Sequence, residues 1–165
     1  MKNYILTRQV AEKKLRRLAY EILERNGEEK ELILAGIRVN GSAIARAIQH
    51  LLKEITGGRL AIRLITIALD KVRPGVVTLS ETLPFDDQVI IVIDDVAMSG
   101  KTLLYAMKPF LDAHPRKIES LVLVGRTHKT FPVQPDYVGL SLSTTLQEHI
   151  YVEVEGDEVT GAYLE

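Results

Sequence analysis

Cysteine and tryptophan are both absent from the 165-residue chain. Without cysteine there are no disulfides and no thiolate metal centres, which suits a cytoplasmic protein. Aromatic residues make up 5% of the chain. No apolar run approaches the ~20 residues that a membrane span requires, so no membrane partner is expected. The amino terminus lacks the profile of a secretory signal. A net charge of −1 gives no overall pull toward nucleic acid or a membrane surface. His50, His114 and His149 are scattered without metal-ligand spacing, so no protein-built metal centre is expected. Repeats and low-complexity tracts are also lacking. What remains is 46% hydrophobic and 26% charged, the composition of an ordinary globule. Its length suits one domain, residues 1–165, with a sizeable core.

Periodicity places the elements. Thr7 to Asn26 reads as an amphipathic helix with a stripe of Val10, Leu15, Leu18, Ile22 and Leu23, Thr7 as N-cap and Gly27 as the stop. A strand from Glu31 to Ile37, a helix from Ser42 to Ile55 and a strand from Leu60 to Leu69 follow. Asp70 to Gln88 reads as a long connection with a short strand at Val76 to Leu79; connections of this length are usually functional. Ile118 to Val124, Tyr137 to Leu140 and Ile150 to Val154 read as strands, with a terminal one around Tyr163. Strands alternating with helices imply right-handed crossovers and an α/β fold: a central, mostly parallel sheet flanked by helices. The strand-rich tail after Gly125 is expected to form a small C-terminal cap over the sheet edge.

Val89 to Leu103 is the most informative stretch. Val89-Ile90-Ile91-Val92-Ile93 is an unbroken β-branched run, the pattern of a strand buried on both faces. It leads into Asp94-Asp95 and then Ser99-Gly100-Lys101-Thr102, which opens a helix through Leu104 and Met107. Two carboxylates are costly in an apolar interior, so they are expected at the exposed carboxyl end of the strand. Ligands of open α/β sheets bind at that edge. The turn behind the acids offers backbone N–H groups and a positive dipole end to an anion. Acids beside an anion cradle suit a ligand with both hydroxyls and a phosphate, such as a sugar phosphate.

Ser99-Gly100-Lys101-Thr102 also mimics the end of a nucleotide-binding G-x-x-x-x-G-K-[ST] loop. The first glycine of that pattern falls on Asp95. A carboxylate there would repel a triphosphate and block close backbone approach, so this reading fails.

The hydrophobic run, the acid pair and the Ser-Gly-Lys-Thr turn together resemble the phosphoribosyl pyrophosphate signature of type I phosphoribosyltransferases. The resemblance implies that Asp94 and Asp95 hold the ribose 2- and 3-hydroxyls. It implies that Val96, Ala97, Met98, Ser99, Gly100, Lys101 and Thr102 wrap the 5-phosphate. Gly36 to Gly41 forms a second strand-turn-helix junction, where the family binds pyrophosphate; Arg38 has the chemistry for that, with Val39, Asn40 and Gly41 lending backbone approach. Most of the chain is similar, in the same order, to the PyrR-type branch, bifunctional pyrimidine operon attenuators and uracil phosphoribosyltransferases. There the stretch Leu121 to His128 lies toward the base, which brings in Arg126. The implied reaction moves the phosphoribosyl group from phosphoribosyl pyrophosphate to a nucleobase, uracil favoured. Mg2+ is the implied cofactor and a homodimer or higher oligomer the implied assembly. The alternative is a nucleotide-sensing, RNA-binding regulator of pyrimidine genes.

Three departures stand out. Gly125 and Thr127 replace the branch's usual Asp and Gly, and Arg38-Val39-Asn40 replaces Lys-Thr-Arg. The lid, usually opened by Tyr-Arg-Asp-Asp, is shorter here and reads Asp70-Lys71-Val72-Arg73, so Lys71 and Arg73 are the cations left to face pyrophosphate. The cluster Arg8, Lys13, Lys14, Arg16 and Arg17 could suggest RNA. Interspersed with Glu12, Glu21 and Glu24 on an amphipathic helix, it reads instead as a solvated face.

Overall fold

In the computed structural model, which describes residues 1–145 and 147–165, strand β5 (Val89–Ala97) feeds two cores at once. Ile91 and Ile93 join a cluster with Leu15, Leu18 and Ile22 of helix α1 (Arg8–Arg25) and Ile44, Ile48 and Leu52 of helix α2 (Asn40–Thr56). Ile90 and Val92 face the other way. They pack with Leu103 and Ala106 of helix α3 (Lys101–Ala106), and with Phe85 and Phe110, whose rings meet edge-on at 5.0 Å. Successive strand side chains point to opposite faces, so an uninterrupted apolar run is what a sheet covered on both sides demands.

Among the described residues the main sheet has the order β4-β3-β2-β5-β6-β7. It comprises β2 (Glu31–Ile37), β3 (Ala61–Ala68), β4 (Thr78–Leu79), β5, β6 (Lys117–Arg126) and β7 (Tyr137–Leu142). Every pairing is parallel except that of the short edge strand β4. A second, antiparallel sheet has the order β1-β9-β8, from β1 (Asn3–Thr7), β8 (Ile150–Glu155) and β9 (Glu158–Leu164).

Helix α1 starts where its sequence specifies: the Thr7 side chain accepts the Val10 amide at 3.3 Å, and the Asn26 amide closes on the Ile22 carbonyl at 2.9 Å. The cap is more mixed in origin than expected. Strand β7 extends the main sheet, and the cap sheet recruits β1, which precedes α1. Only Leu6 of β1 is buried, so the segment carries no alternation of its own; pairing with β9, far along the chain, makes it a strand. Helix α3 ends at Ala106, before Met107, and Lys108–Phe110 continues as a 3-10 turn. No described helix is long and apolar enough to cross a membrane.

Candidate functional site

Chain order creates the crevice. From β2 the chain crosses through α2 to β3 on one side, whereas β5 lies on the other side of β2 and leads into α3 on the opposite face. The direction of winding therefore switches between β2 and β5, and their carboxyl ends diverge there. Two glycines let α2 start directly against this switch. A Cβ at Gly36 would lie 2.6 Å from the Ser42 Cα, and one at Gly41 would lie 2.5 Å from the Ile93 carbonyl oxygen and 3.2 Å from Asp94 Oδ1. The amino-terminal, positive end of α2 is thus brought beside the first acid.

The acids are less exposed than expected. Asp94 is 1% and Asp95 14% exposed, because β5 continues through both of them to Ala97. Their partners make this burial tolerable. Asp94 Oδ1 accepts the Asp95 amide at 2.9 Å, and Asp95 Oδ1 accepts the Val96 amide at 2.8 Å. Asn40 Nδ2 donates to Asp95 Oδ2 at 3.0 Å and to the Val152 carbonyl of the cap sheet at 3.0 Å, tying loop, acid and cap together. Lys71 Nζ donates to Asp94 Oδ1 and Oδ2 at 3.0 and 3.2 Å and stands 3.7 Å from Asp95 Oδ1. Burial, reinforced by the neighbouring Asp95 charge and opposed by Lys71, pushes the Asp94 carboxyl up to about 8. Lys71 is raised, its attraction to the two acids outweighing its own desolvation.

A cavity of about 260 Å³ opens over these groups. Lys71, Asp94, Asp95, the loop from Val96 to Gly100, Thr102 and Leu103 line it, with Ile150 from the cap sheet closing one side. Gly100 has φ +86°, and its Cβ position lies 3.2 Å from the Phe131 carbonyl oxygen. Only glycine meets both demands. The Ser99 carbonyl accepts the Thr130 and Phe131 amides, and Ser99 Oγ accepts the Lys101 amide at 3.2 Å. Among the described residues the amides of Met98, Ser99 and Gly100 have no hydrogen-bond partner within the chain. With α3 only six residues long, these loop amides, rather than a helix dipole, are what the turn offers an anion.

Other expected residues fall elsewhere. Lys101 turns its ammonium away, to the Val72 carbonyl at 3.3 Å. Arg38 and Val39 are exposed, and the peptide between them is cis. Arg73 is exposed, its amide held by Asp70 Oδ1 at 3.1 Å. Arg126 is buried and directs a guanidinium nitrogen to the Thr145 carbonyl at 3.3 Å. Arg38, Val39, Gly41, Lys101, Arg73 and Arg126 do not line the cavity, although Gly41 supports Asp94 from behind. Two cavity residues, Leu103 and Ile150, escaped assignment from the sequence, while Lys71, read only as a cation for pyrophosphate, lies against the acids. Lys71 follows β3 at the same sheet edge as the acids, a signal present in the chain. Ile150 is brought in only by the cap sheet, which local pattern does not reveal.

A switch-point crevice holding two acids beside a loop of free amides defines a sugar-phosphate-binding α/β protein. Residues 3–156 match the phosphoribosyl transferase domain family, and the chain belongs to it. It is 36% identical over 149 residues to the bifunctional protein PyrR of Elusimicrobium minutum, covering 86% of this chain and 83% of that one. It is 33% identical over 175 residues to the bifunctional protein PyrR of Bacillus pumilus, covering 98% and 97%. Among solved structures it is similar to the hypoxanthine phosphoribosyltransferase of Trypanosoma cruzi, with TM-score 0.79, 13% identity and coverage of 99% and 97%. It is also similar to a hypoxanthine-guanine phosphoribosyltransferase of Bacillus anthracis, with TM-score 0.71, 19% identity and coverage of 87% and 84%. The chain is therefore a type I, PyrR-like phosphoribosyltransferase, a pentosyltransferase that depends on phosphoribosyl pyrophosphate.

Proposed function

We propose that the chain transfers the 5-phosphoribosyl group of phosphoribosyl pyrophosphate to uracil. The observation that carries this reading is the Asp94–Asp95 pair facing a cavity whose far wall is the 96–100 loop with its free amides. Asp94 and Asp95 accept hydrogen bonds from the ribose diol, and the Met98, Ser99 and Gly100 amides, with the Ser99 and Thr102 hydroxyls, donate to the 5-phosphate. With the sugar held at both ends, C1 is fixed between base and leaving group. A base nitrogen forms the new bond to C1 as the C1–O bond to pyrophosphate breaks. The bonding pair departs with pyrophosphate, and the base N–H proton passes to water. Positive charge developing on the ribose is favoured by the carboxylates beneath it. Asn40, bonded to Asp95 and to the cap, keeps that carboxylate aimed. Arg38 and Arg73, exposed in the turns that follow β2 and β3, are the guanidinium groups available to pyrophosphate.

The donor set also fits magnesium, a hard cation that takes oxygen ligands. Asp94 and Asp95 are the residues that would hold it together with the substrate. When bound, it shares the charge of the pyrophosphate and so makes it a better leaving group.

Uracil as the base rests on the likeness to the PyrR branch. For the RNA-binding reading, the cations of α1 matter. Arg8 pairs with Glu155 and Glu158, Arg16 with Glu54 and Arg17 with Glu21, so acids already compensate these three arginines of the cluster. This favours the enzyme. The test is pyrophosphate release from phosphoribosyl pyrophosphate and magnesium, against uracil, hypoxanthine, guanine, adenine, xanthine and orotate. Turnover with uracil is expected; turnover with another base instead would replace uracil, and none with any base would overturn the enzymatic reading.

A further inference from the structure

The ribose site of the free protein is already engaged by a side chain. Asp94 Oδ1 holds the Asp95 amide, Asp95 Oδ1 the Val96 amide and Asp95 Oδ2 the Asn40 amide group. Among the described residues, the remaining oxygen, Asp94 Oδ2, has only the Lys71 ammonium as its partner. Lys71 also bonds Asp94 Oδ1 and stands beside Asp95 Oδ1, so its one ammonium covers the face of the acid pair that looks into the cavity. A diol hydroxyl approaching Asp94 Oδ2 from the cavity therefore meets the Lys71 ammonium.

Lys71 sits in a turn whose flanks are packed, at Leu69, Pro74 and Val77, but whose own polar ties are few. Asp70 Oδ1 accepts the Val72 and Arg73 amides, which shapes the turn without anchoring it to the body of the protein. Downstream, Lys101 Nζ reaches the Val72 carbonyl at 3.3 Å and Lys108 Nζ the Gly75 carbonyl at 3.0 Å, both in exposed positions. Exposed single bonds of this kind contribute little against water. The Lys71 contact with a carboxylate that is 1% exposed is the partly buried one.

We propose that Lys71 competes with the ribose diol for the Asp94–Asp95 pair, and that its displacement by substrate hands its ammonium, together with the segment around it, to the pyrophosphate. This rests on the phosphoribosyl-transfer reading. Lys71 is 43% exposed and sits on a flexible four-carbon stem, so it can leave the acids without unpacking a core. The same residue then opposes binding of the sugar and assists departure of the leaving group, a combination that a purely structural ion pair would not give.

Ribose 5-phosphate separates the two effects, because it carries the diol and phosphate but no pyrophosphate. Calorimetry should show Lys71→Met binding ribose 5-phosphate about fivefold tighter than wild type, the effect of removing one partly screened ion pair. Lys71→Arg, which keeps the charge, should return to the wild-type affinity. With phosphoribosyl pyrophosphate, Lys71→Met should lose roughly tenfold in kcat with no rise in KM, as expected when a charge acting in the transition state is removed. Equal or weaker binding of ribose 5-phosphate by Lys71→Met overturns the competition while leaving the transferase reading intact. Binding of neither ribose 5-phosphate nor phosphoribosyl pyrophosphate, by wild type or variant, would overturn both.

Discussion

Replacing Gly41 with alanine tests whether the crevice depends on the closeness of α2 to β5. The added Cβ would stand 2.5 Å from the Ile93 carbonyl oxygen and 3.0 Å from the Asp94 Cα, where ordinary contact begins at 3.4 Å. Both obstacles are backbone, so no rotamer change relieves them, and the first turn of α2 must lift away from the strand. Inserting one methyl group into a packed site costs about 1–3 kcal/mol, and rigid neighbours put this one near 3. For a chain of this size each kcal/mol lowers Tm by about 2–4 °C, so a fall of roughly 6–12 °C is expected in calorimetric or circular-dichroism melts. The movement would also carry Asp94 and Asn40, so affinity for phosphoribosyl pyrophosphate should fall by an order of magnitude or more. Gly75→Ala is the control. Its Cβ meets nothing within 4 Å and its φ is unstrained, so its stability should stay within about 0.5 kcal/mol of wild type. A Gly41→Ala protein that melts with wild type and binds substrate equally well would refute the packing argument.

Asp95→Asn keeps the shape of the side chain but removes its charge; turnover should drop at least tenfold with a small change in Tm, and unchanged steady-state kinetics would remove Asp95 from the reaction. Asp94 provides a pH signature. Its folded-state carboxyl lies well above the ordinary 3.8, so its contribution to stability is fully present below that value and is lost as pH rises toward about 8. Asp94→Asn should therefore gain stability relative to wild type between pH 4 and 8 and level off above; a difference in urea midpoints that stays flat across that range would contradict the assignment. At the opposite end of the sheet, Tyr137 OH donates to Glu119 Oε1 at 2.8 Å, with Asn26 Nδ2 at 3.0 Å from the same oxygen. Tyr137→Phe should cost about 1–2 kcal/mol without altering substrate affinity, and a loss of affinity would show that the two ends are coupled.

What could be read in the chain in advance was whatever short-range pattern encodes. The β-branched run of β5 announced a doubly covered strand, and Ile90, Val92, Ile91 and Ile93 do divide between two cores. The Thr7 cap fixed the start of α1. The acid pair and the glycine-containing turn lie in one cavity because a single strand-to-loop junction carries both. What could not be read depends on pairing across long separations. Strand β1 exists through β9, more than 150 residues away, and the Ile150 wall through the cap sheet. Lys71 was visible as a cation at the right sheet edge, yet its contact with Asp94 depends on how the turn after β3 folds back. The burial of Asp94 was missed for a related reason: a rule that sends acids to the strand end assumes water is their best partner, whereas here an ammonium and nearby amides take that place.

The two ends of the sheet therefore treat buried polarity differently. At the amino end Asn26, Glu119 and Tyr137 bond to one another through positions fixed by α1, β6 and β7, and burial and the Glu119 hydrogen bond hold the Tyr137 hydroxyl neutral. This network locks elements together, and among the described residues it lines none of the three main cavities, so no ligand there replaces its bonds. At the carboxyl end, the groups around Asp94 and Asp95 face an open cavity, and one partner, Lys71, comes from a turn with few polar ties of its own. A folded protein tolerates an unfavourably buried carboxylate when ligand binding can improve on the bonds available without it. The carboxyl proton of Asp94 is held more tightly than in an ordinary aspartate, and its cation stands on a side chain that is 43% exposed. Under the proposed binding of the sugar here, stability given up at this end would be recovered on its arrival, a physical reason for the fold to keep its polar strain at the switch between β2 and β5.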